Sequence, residues 1–290
     1  MPMKYRADID GLRALAVLPV VFFHGGFSAF SGGFVGVDIF FVISGFLITT
    51  IILNDLENNK FSVRDFYERR IRRIIPALYT VCFVSLVFAA LVFLPNEFEY
   101  FGKSLAATIG FVSNILFWSE TGYFDASSEL KPLLHTWSLA VEEQFYVFFP
   151  LCLLLIHRYL NKRFFVLLLA VLVLSFVVSV WGAYNKPSAT FYWAPTRAWE
   201  LLIGSVLALG VFPKPQNNLL SNIGGAAGLV LIAYAIAFFD YDTAFPGVNA
   251  LYPCLGVALL LYFNQNEQSY VRKALSWKPF VFIGLSLIHI

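Results

Sequence analysis

The sequence predicts an all-α polytopic membrane protein, a bundle of about nine transmembrane helices plus one segment that does not cross. Composition is the first reason: 59% of the 290 residues are hydrophobic, only 13% are charged, and 32 are phenylalanine. Such values are typical of chains surrounded by lipid. The second reason is that the apolar residues form runs of roughly 17–25, the length that crosses a bilayer as a helix.

The loops between these runs fix the predicted topology. The runs cover residues 11–27, 36–54, 75–94, 138–156, 164–183, 198–212, 222–239, 248–263 and 279–290. Basic loops lie at residues 60–73, 158–163, 214 and 272–278, whereas loops 96–99, 120–129 and 240–242 are acidic or neutral. Because cytoplasmic loops carry the excess of Lys and Arg, nine crossings with a cytoplasmic N-terminus place every basic loop inside.

Residues 101–118 are the ambiguous segment. They are less apolar than the nine runs and include Lys103, Ser104, Ser113 and Asn114. A tenth crossing here would move the later basic loops outside, against the charge rule. We therefore expect this segment to be re-entrant or to lie along the outer interface.

Charge and cysteine content exclude several kinds of partner. The formal net charge of +2 is too small to indicate nucleic-acid binding. Cys82, Cys152 and Cys254 all fall in apolar runs, which favours small packing residues over a disulfide framework or a metal site. No metal is expected, and membrane lipids are the expected surroundings.

Two ionisable residues in the first run predict a polar track. Arg13 and His24 are eleven positions apart, so they share one face of a helix about 16 Å apart along its axis. Asp10 lies at the start of the same run. Ionisable residues within a lipid span usually face a protein interior or a watery cavity, so the track is expected to lead inward from the cytoplasmic side.

The loop of residues 60–76, KFSVRDFYERRIRRIIP, has two interpretations. One is an amphipathic helix that lies on anionic headgroups and fixes topology. The other is a phosphate site, because arginine forks bind phosphate oxygens in pairs. Five arginines within ten residues exceed what topology requires.

Two further segments place ionisable side chains at or inside spans. In ELKPLLHTWSLAVEEQFY, His135 and Glu142 are seven apart and lie on nearly one helix face, while Glu143 is offset by about 100°. A buried structural ion pair with Arg197 is the alternative to a functional role. In PTRAWELLIG, Arg197 and Glu200 are three apart, so they can pair within the helix or point together into the bundle.

These motifs together resemble the membrane acyltransferase 3 family. The resemblance rests on Arg13 and His24 followed by GFVGVDIFFVISGFLIT, on the arginine-rich stretch ending in proline, on HTWSLAVEEQFY and on the Arg-x-Trp-Glu segment. It implies a bacterial inner-membrane enzyme that moves an acyl group, with acetyl the expected one, from cytoplasmic acyl-CoA to a hydroxyl of a cell-envelope glycan. The acceptors that the resemblance implies are lipopolysaccharide O-antigen, exopolysaccharide and peptidoglycan.

The resemblance also implies roles for residues. It associates Arg69, Arg72 and Arg73 with the acyl-CoA donor. It favours a functional role for His135, Glu142 and Glu143, and it matches Arg197 and Glu200 to the family's Arg-x-Trp-Glu segment. At GLSLIHI the sequence departs from the family, whose members continue with further spans. Residues 1–290 are therefore expected to be one acyltransferase 3-like domain that is incomplete at its C-terminus.

Acyl transfer from a thioester to a hydroxyl needs a base, donors for the oxyanion and a clamp for the CoA phosphates. The chain has no serine elbow and no plausible reactive cysteine, which favours direct transfer over a covalent serine intermediate and leaves an acyl-histidine intermediate open. His24 is the preferred base, oriented by Glu142 or Glu143, with Arg13 on the polar part of the donor and acetyl-CoA as co-substrate. The competing hypothesis is a transporter or flippase, since intramembrane Arg, His and Glu also build proton relays. The third hypothesis is a non-catalytic membrane scaffold.

Overall fold

The structure, a computed structural model, describes residues 5–121, 131–160 and 164–286, which are largely helical and contain no strand. Helices dominate because the apolar runs satisfy their backbone groups internally, as a bilayer requires. The helices of the described residues are α1 (Ala7–His24), α2 (Gly36–Glu57), α3 (Val63–Val92), α4 (Pro95–Ile109), α5 (Ser113–Ser119), α6 (Thr136–Leu160), α7 (Phe164–Asn185), α8 (Pro187–Tyr192), α9 (Ala194–Ala208), α10 (Asn218–Phe238), α11 (Leu251–Phe263), α12 (Tyr270–Leu275) and α13 (Lys278–Ser286).

Within the described residues, 5 helices are long and apolar enough to cross a membrane. They are Gly33–Glu57, Val63–Val92, Thr136–Ile156, Phe165–Asn185 and Asn218–Phe238. The other four predicted spans coincide with α1, which carries three charges in its first half, and with α9, α11 and α13, of 15, 13 and 9 described residues. The all-α membrane class is thus confirmed, while the count of nine spans stays a prediction.

The ambiguous segment 101–118 is broken in the middle. Helix α4 ends at Ile109, Phe111 has a positive φ of 53°, and α5 begins at Ser113. The break is held in place because the Gln144 side chain donates to the Phe111 carbonyl at 3.0 Å. Two helices of 15 and 7 residues are each too short to cross. The position of residues 101–118 relative to the bilayer stays a prediction.

Helices α2 and α9 pack closely against each other. Their backbones approach at glycines: a methyl group added to Gly45 would collide with the Leu201 carbonyl, and one added to Gly204 with the Val42 carbonyl. Small residues permit such close helix packing in membranes. The contact fixes the relative positions of polar side chains on the two helices.

Helix α3 packs much less tightly. Only 17% of the most apolar 18-residue stretch of α3 is buried inside the protein. Phe83, Phe88 and Leu91 are largely exposed. These side chains suit a lipid-facing surface. The opposite side of α3 forms a wall of the cavity described next.

Candidate functional site

A cavity of about 360 Å³ lies between α1, α2, α3 and α6. Its size is at the lower end of the range found for small-molecule sites, about 300–1,000 Å³. We call it the polar cavity, because arginine, histidine, carboxylate and hydroxyl groups line it among apolar side chains. Its lining comprises Arg13, Phe40, Ser44, Arg73, Ile74, Ala77, Leu78, Val81, His135, Thr136, Ser138, Leu139, Glu142 and Gly284.

Glu142 is held in this lining by two hydroxyl groups. Ser44 on α2 and Tyr146, one helical turn further along α6, both donate to Oε1 of Glu142. The Tyr146 ring is buried, and the Arg70 guanidinium stands over it at 4.4 Å from the ring centroid. The sequence predicted Glu142 as a site residue but missed Ser44, Tyr146 and Arg70, although Tyr146 follows Glu142 at the i,i+4 spacing that brings helix side chains together.

Arg13 enters the cavity from α1. Its Nη1 atom lies 2.9 Å from Oδ1 of Asp10, and the Tyr5 hydroxyl donates to Oδ2 of the same carboxylate at 2.7 Å. The Arg13 side chain is only 14% exposed. Of the predicted polar track of Arg13 and His24, Arg13 therefore lies at the cavity wall, paired with Asp10.

The two predicted histidines occupy different positions. His135 lines the cavity, whereas His24 is exposed at the last residue of α1, with Nδ1 2.8 Å from the Val20 carbonyl oxygen. His24 is thus not brought into the cavity lining. His135 is exposed by surface area, but neighbouring protein atoms partly enclose its imidazole, and this partial burial lowers its pKa. Electrostatic repulsion from His24 lowers this pKa in the same direction.

The predicted donor arginines separate into two groups. Arg73 lines the cavity, but Arg69 pairs with Asp55 at 3.0 Å and Arg72 pairs with Glu68 at 2.7 Å, both with exposed guanidinium groups. The structure does not bring Arg69 and Arg72 to the cavity. Arg70 and Arg73, three residues apart, share the inward face, a spacing from which the sequence could have identified Arg70.

Glu143 also differs from its neighbour. It is not part of the cavity lining, and its buried Oε1 atom has no hydrogen-bond partner among the described residues. The pairing of these carboxylates with Arg197, considered from the sequence, is not found, because Arg197 has other partners.

Arg197 forms a buried trio with Asp38 and Glu200. Its Nη2 atom lies 2.9 Å from Oδ1 of Asp38 and its Nε atom 2.8 Å from Oε1 of Glu200, and all three side chains are at most 1% exposed. The sequence left two alternatives, pairing of Arg197 with Glu200 within α9 or pointing together into the bundle, and the structure shows both at once. Four aromatic rings lie 5.4–5.6 Å from the guanidinium carbon, those of Phe41, Trp137, Phe191 and Phe245.

Cys254 joins the two carboxylates in a group that could hold a metal ion. The ligand atoms of Asp38, Glu200 and Cys254 lie within 4.8 Å of one another. Arg197 already supplies a positive charge to both carboxylates. The donor set therefore suits a guanidinium-centred cluster better than a metal centre, and the expectation of no metal stays a prediction.

Apolar helices long enough to span a bilayer, with ionisable groups gathered in a cavity between them, define a multi-pass membrane protein with an internal polar site. The chain belongs to an acyltransferase family: the family described as acyltransferase domain matches residues 6–287. The resemblance inferred from the sequence motifs is thereby confirmed.

Several relatives carry names that bear on the activity. The chain is 34% identical to the peptidoglycan O-acetyltransferase OatA of Listeria monocytogenes, over 97% of this chain and 47% of that protein. It is 34% identical to the putative peptidoglycan O-acetyltransferase YrhL of Bacillus subtilis, over 97% of this chain and 46% of that protein. An uncharacterised protein of Haemophilus influenzae is 36% identical over 78% of this chain and 96% of its own length.

The chain spans about half the length of the named curated relatives that it matches. No solved structure shows a significant match.

Proposed function

We propose that this chain is a membrane O-acyltransferase that transfers an acetyl group from acetyl-CoA to a hydroxyl of a cell-envelope glycan. The observation that carries the proposal is the polar cavity, in which Arg13, Arg73, His135 and Glu142 converge within the helices of an acyltransferase family member. Peptidoglycan is the first acceptor to test because two relatives are named for it. Lipopolysaccharide and exopolysaccharide are the other acceptors.

The donor would approach from the arginine-rich start of α3, on the cytoplasmic side of the inner membrane. Arg73 at the cavity wall is the strongest candidate for a phosphate contact, because a guanidinium donates to two oxygens of a phosphate at once. Arg69 and Arg72 would act as an outer electrostatic field, since their guanidinium groups are exposed and lie outside the cavity lining.

The transfer itself requires one proton to move. A base removes the acceptor hydroxyl proton while the oxygen attacks the thioester carbonyl; the carbon–sulfur bond then breaks and CoA leaves as a thiol after gaining a proton. His24 is proposed as this base, with His135 the second candidate because it lines the cavity. Arg13 would stabilise the developing oxyanion or hold the donor, and Glu142 would orient the proton-transfer groups.

The test is acetyl transfer by this chain in proteoliposomes, with radiolabelled acetyl-CoA and soluble peptidoglycan fragments as acceptor. Acceptor-dependent formation of labelled glycan ester supports the proposal. Hydrolysis alone, or no release of CoA, contradicts it. Movement of glycan or acyl group across the bilayer without ester formation would select the transporter hypothesis instead.

A further inference from the structure

The carboxylate of Glu142 is the most constrained ionisable group in the polar cavity. Hydroxyl groups from two different helices, Ser44 on α2 and Tyr146 on α6, converge on the same oxygen atom, Oε1. Each hydroxyl has a single proton to donate, and both are directed at this carboxylate. Neither hydroxyl can donate to a substrate while these contacts last, so their effect on chemistry passes through Glu142.

Tyr146 is itself fixed from the opposite side. Its side chain is 3% exposed, and the guanidinium of Arg70 stands over the ring, where a cation is attracted by the aromatic quadrupole. Arg70 belongs to α3, which otherwise packs loosely against the bundle. The Tyr146 hydroxyl therefore has little freedom to leave Glu142.

The neighbours of Glu142 show that this arrangement is particular to one residue. Oε1 of Glu143 has no hydrogen-bond partner among the described residues, and Glu143 does not line the cavity. The Gln144 amide is used to hold the Phe111 carbonyl and Asn114. Of these three consecutive polar residues, only Glu142 is both fixed by hydroxyl groups and part of the cavity wall.

We propose that Ser44 and Tyr146 are positioning residues that fix the Glu142 carboxylate against the polar cavity in the orientation required for acyl transfer. The inference rests on the proposed function. It assigns Ser44 and Tyr146 an indirect role: neither is acylated, and neither binds the donor directly. Fixing a catalytic group by its neighbours matters because small displacements at a reacting centre cost large factors in rate.

Tyr146→Phe and Ser44→Ala, each of which removes one hydroxyl, test this inference through steady-state kinetics. Each should lower kcat about ten- to hundredfold, as expected for loss of a hydrogen bond to a charged group, with KM for acetyl-CoA little changed. Ser44→Thr keeps a hydroxyl and should restore most of the rate.

The matched controls are Tyr67→Phe and Ser205→Ala. The Tyr67 hydroxyl donates to the Val147 carbonyl at 2.7 Å, and the Ser205 hydroxyl bonds to backbone carbonyls of Gly45 and Leu201. Both contacts lie outside the cavity lining. These two variants should keep the parent kcat.

A double-mutant cycle separates positioning from general structural support. In a Glu142→Gln background, Tyr146→Phe should cost far less than in the parent, because its effect passes through the carboxylate. If Glu142→Gln leaves no measurable rate, the comparison of Ser44→Thr with Ser44→Ala decides.

Three results would overturn the inference. If the unsubstituted protein is active and Tyr146→Phe and Ser44→Ala have the kcat of their controls, the positioning role is refuted while the proposed function stands. Equal losses from Ser44→Thr and Ser44→Ala in folded protein do the same. A folded parent that transfers no acetyl group overturns the proposed function and this inference together.

Discussion

Arg197 on α9 donates from Nη2 to Oδ1 of Asp38 on α2 over 2.9 Å, at a point where neither side chain is more than 1% exposed. Glu200, one turn along α9, contacts the same guanidinium. Two carboxylates thus share one cation in the centre of the helix bundle. Such a group is stable only while each charge keeps its partner.

Arg197→Ala should therefore destabilise the protein strongly. Removing one member of a buried ion pair typically costs about 3–5 kcal/mol, because the remaining charges lose their compensation. Thermal unfolding in detergent, followed by circular dichroism, measures the effect. Arg72→Ala is the control, since its pair with Glu68 is exposed and such pairs contribute about 0–1 kcal/mol. A melting curve for Arg197→Ala equal to that of Arg72→Ala would contradict the prediction.

A second prediction about stability follows from the close contact of α2 and α9. Gly45→Ala and Gly204→Ala should each lower the melting temperature, because the added methyl group meets a backbone carbonyl of the partner helix. Gly102→Ala on α4 is the matched control, since a methyl group there has no neighbour within 4 Å. The packing argument fails if all three variants melt at the same temperature.

The sequence predicted the helical class, and it singled out the ionisable residues that line the polar cavity, because both follow from local patterns. Runs of apolar residues indicate spans, and charged residues inside those runs indicate an interior cavity. Asp38 was missed, since nothing in GFVGVDIFFV indicates that its partner is Arg197, 159 positions away. Ser44 was missed for the same reason: a serine within an apolar run becomes notable only once α6 places a carboxylate beside it.

Side-chain direction within the arginine-rich helix was the other limit. The five arginines of α3 look alike in sequence, but a helix distributes consecutive residues around its axis. Arg70 and Arg73 therefore face the bundle, while the exposed guanidinium groups of Arg69 and Arg72 pair with carboxylates outside the cavity lining. Which face turns inward depends on tertiary packing, which local sequence patterns do not determine.

Topology provides the third prediction. In a cysteine-free background, single cysteines at Asn58 and Asp242, both exposed, should be labelled from opposite sides of the membrane. The expectation follows from loop charges and from the break between α4 and α5, which leaves residues 101–118 without a continuous spanning helix. An impermeant maleimide applied to intact cells should reach only the Asp242 position. Labelling of both positions from the same side would refute the nine-span arrangement.

The fourth prediction concerns the acyl-CoA donor. Arg73→Lys should weaken acetyl-CoA binding by about ten- to hundredfold, because lysine cannot reproduce the paired donation of a guanidinium at the cavity wall. Arg69→Lys and Arg72→Lys should have small effects, since both positions keep a charge and lie outside the cavity lining. Isothermal titration in nanodiscs measures the affinities. If all three substitutions weaken binding equally, the outer arginines contact the donor directly.

The last prediction decides between the two histidines. His24→Ala should reduce acetyl transfer by about 10²–10⁴-fold, the loss typical of a missing general base. Folding should be unaffected, because the ring is exposed and its hydrogen bond is local, to Val20 one turn earlier in α1. Phe27→Ala, which also changes an exposed ring beyond the end of α1, is the control for the surface change itself.

The activity of the His135→Ala variant and the pH dependence of the transfer rate can contradict the assignment of the base to His24. If His24→Ala transfers at near the parent rate while His135→Ala does not, the base is His135. Because the pKa of His135 lies below the ordinary histidine value, its ring stays neutral and able to accept a proton to lower pH than an unperturbed histidine. The transfer rate would then fall only when the pH drops below the usual range for histidine. Full activity in both variants would move the search for the base to Glu142 and Glu143.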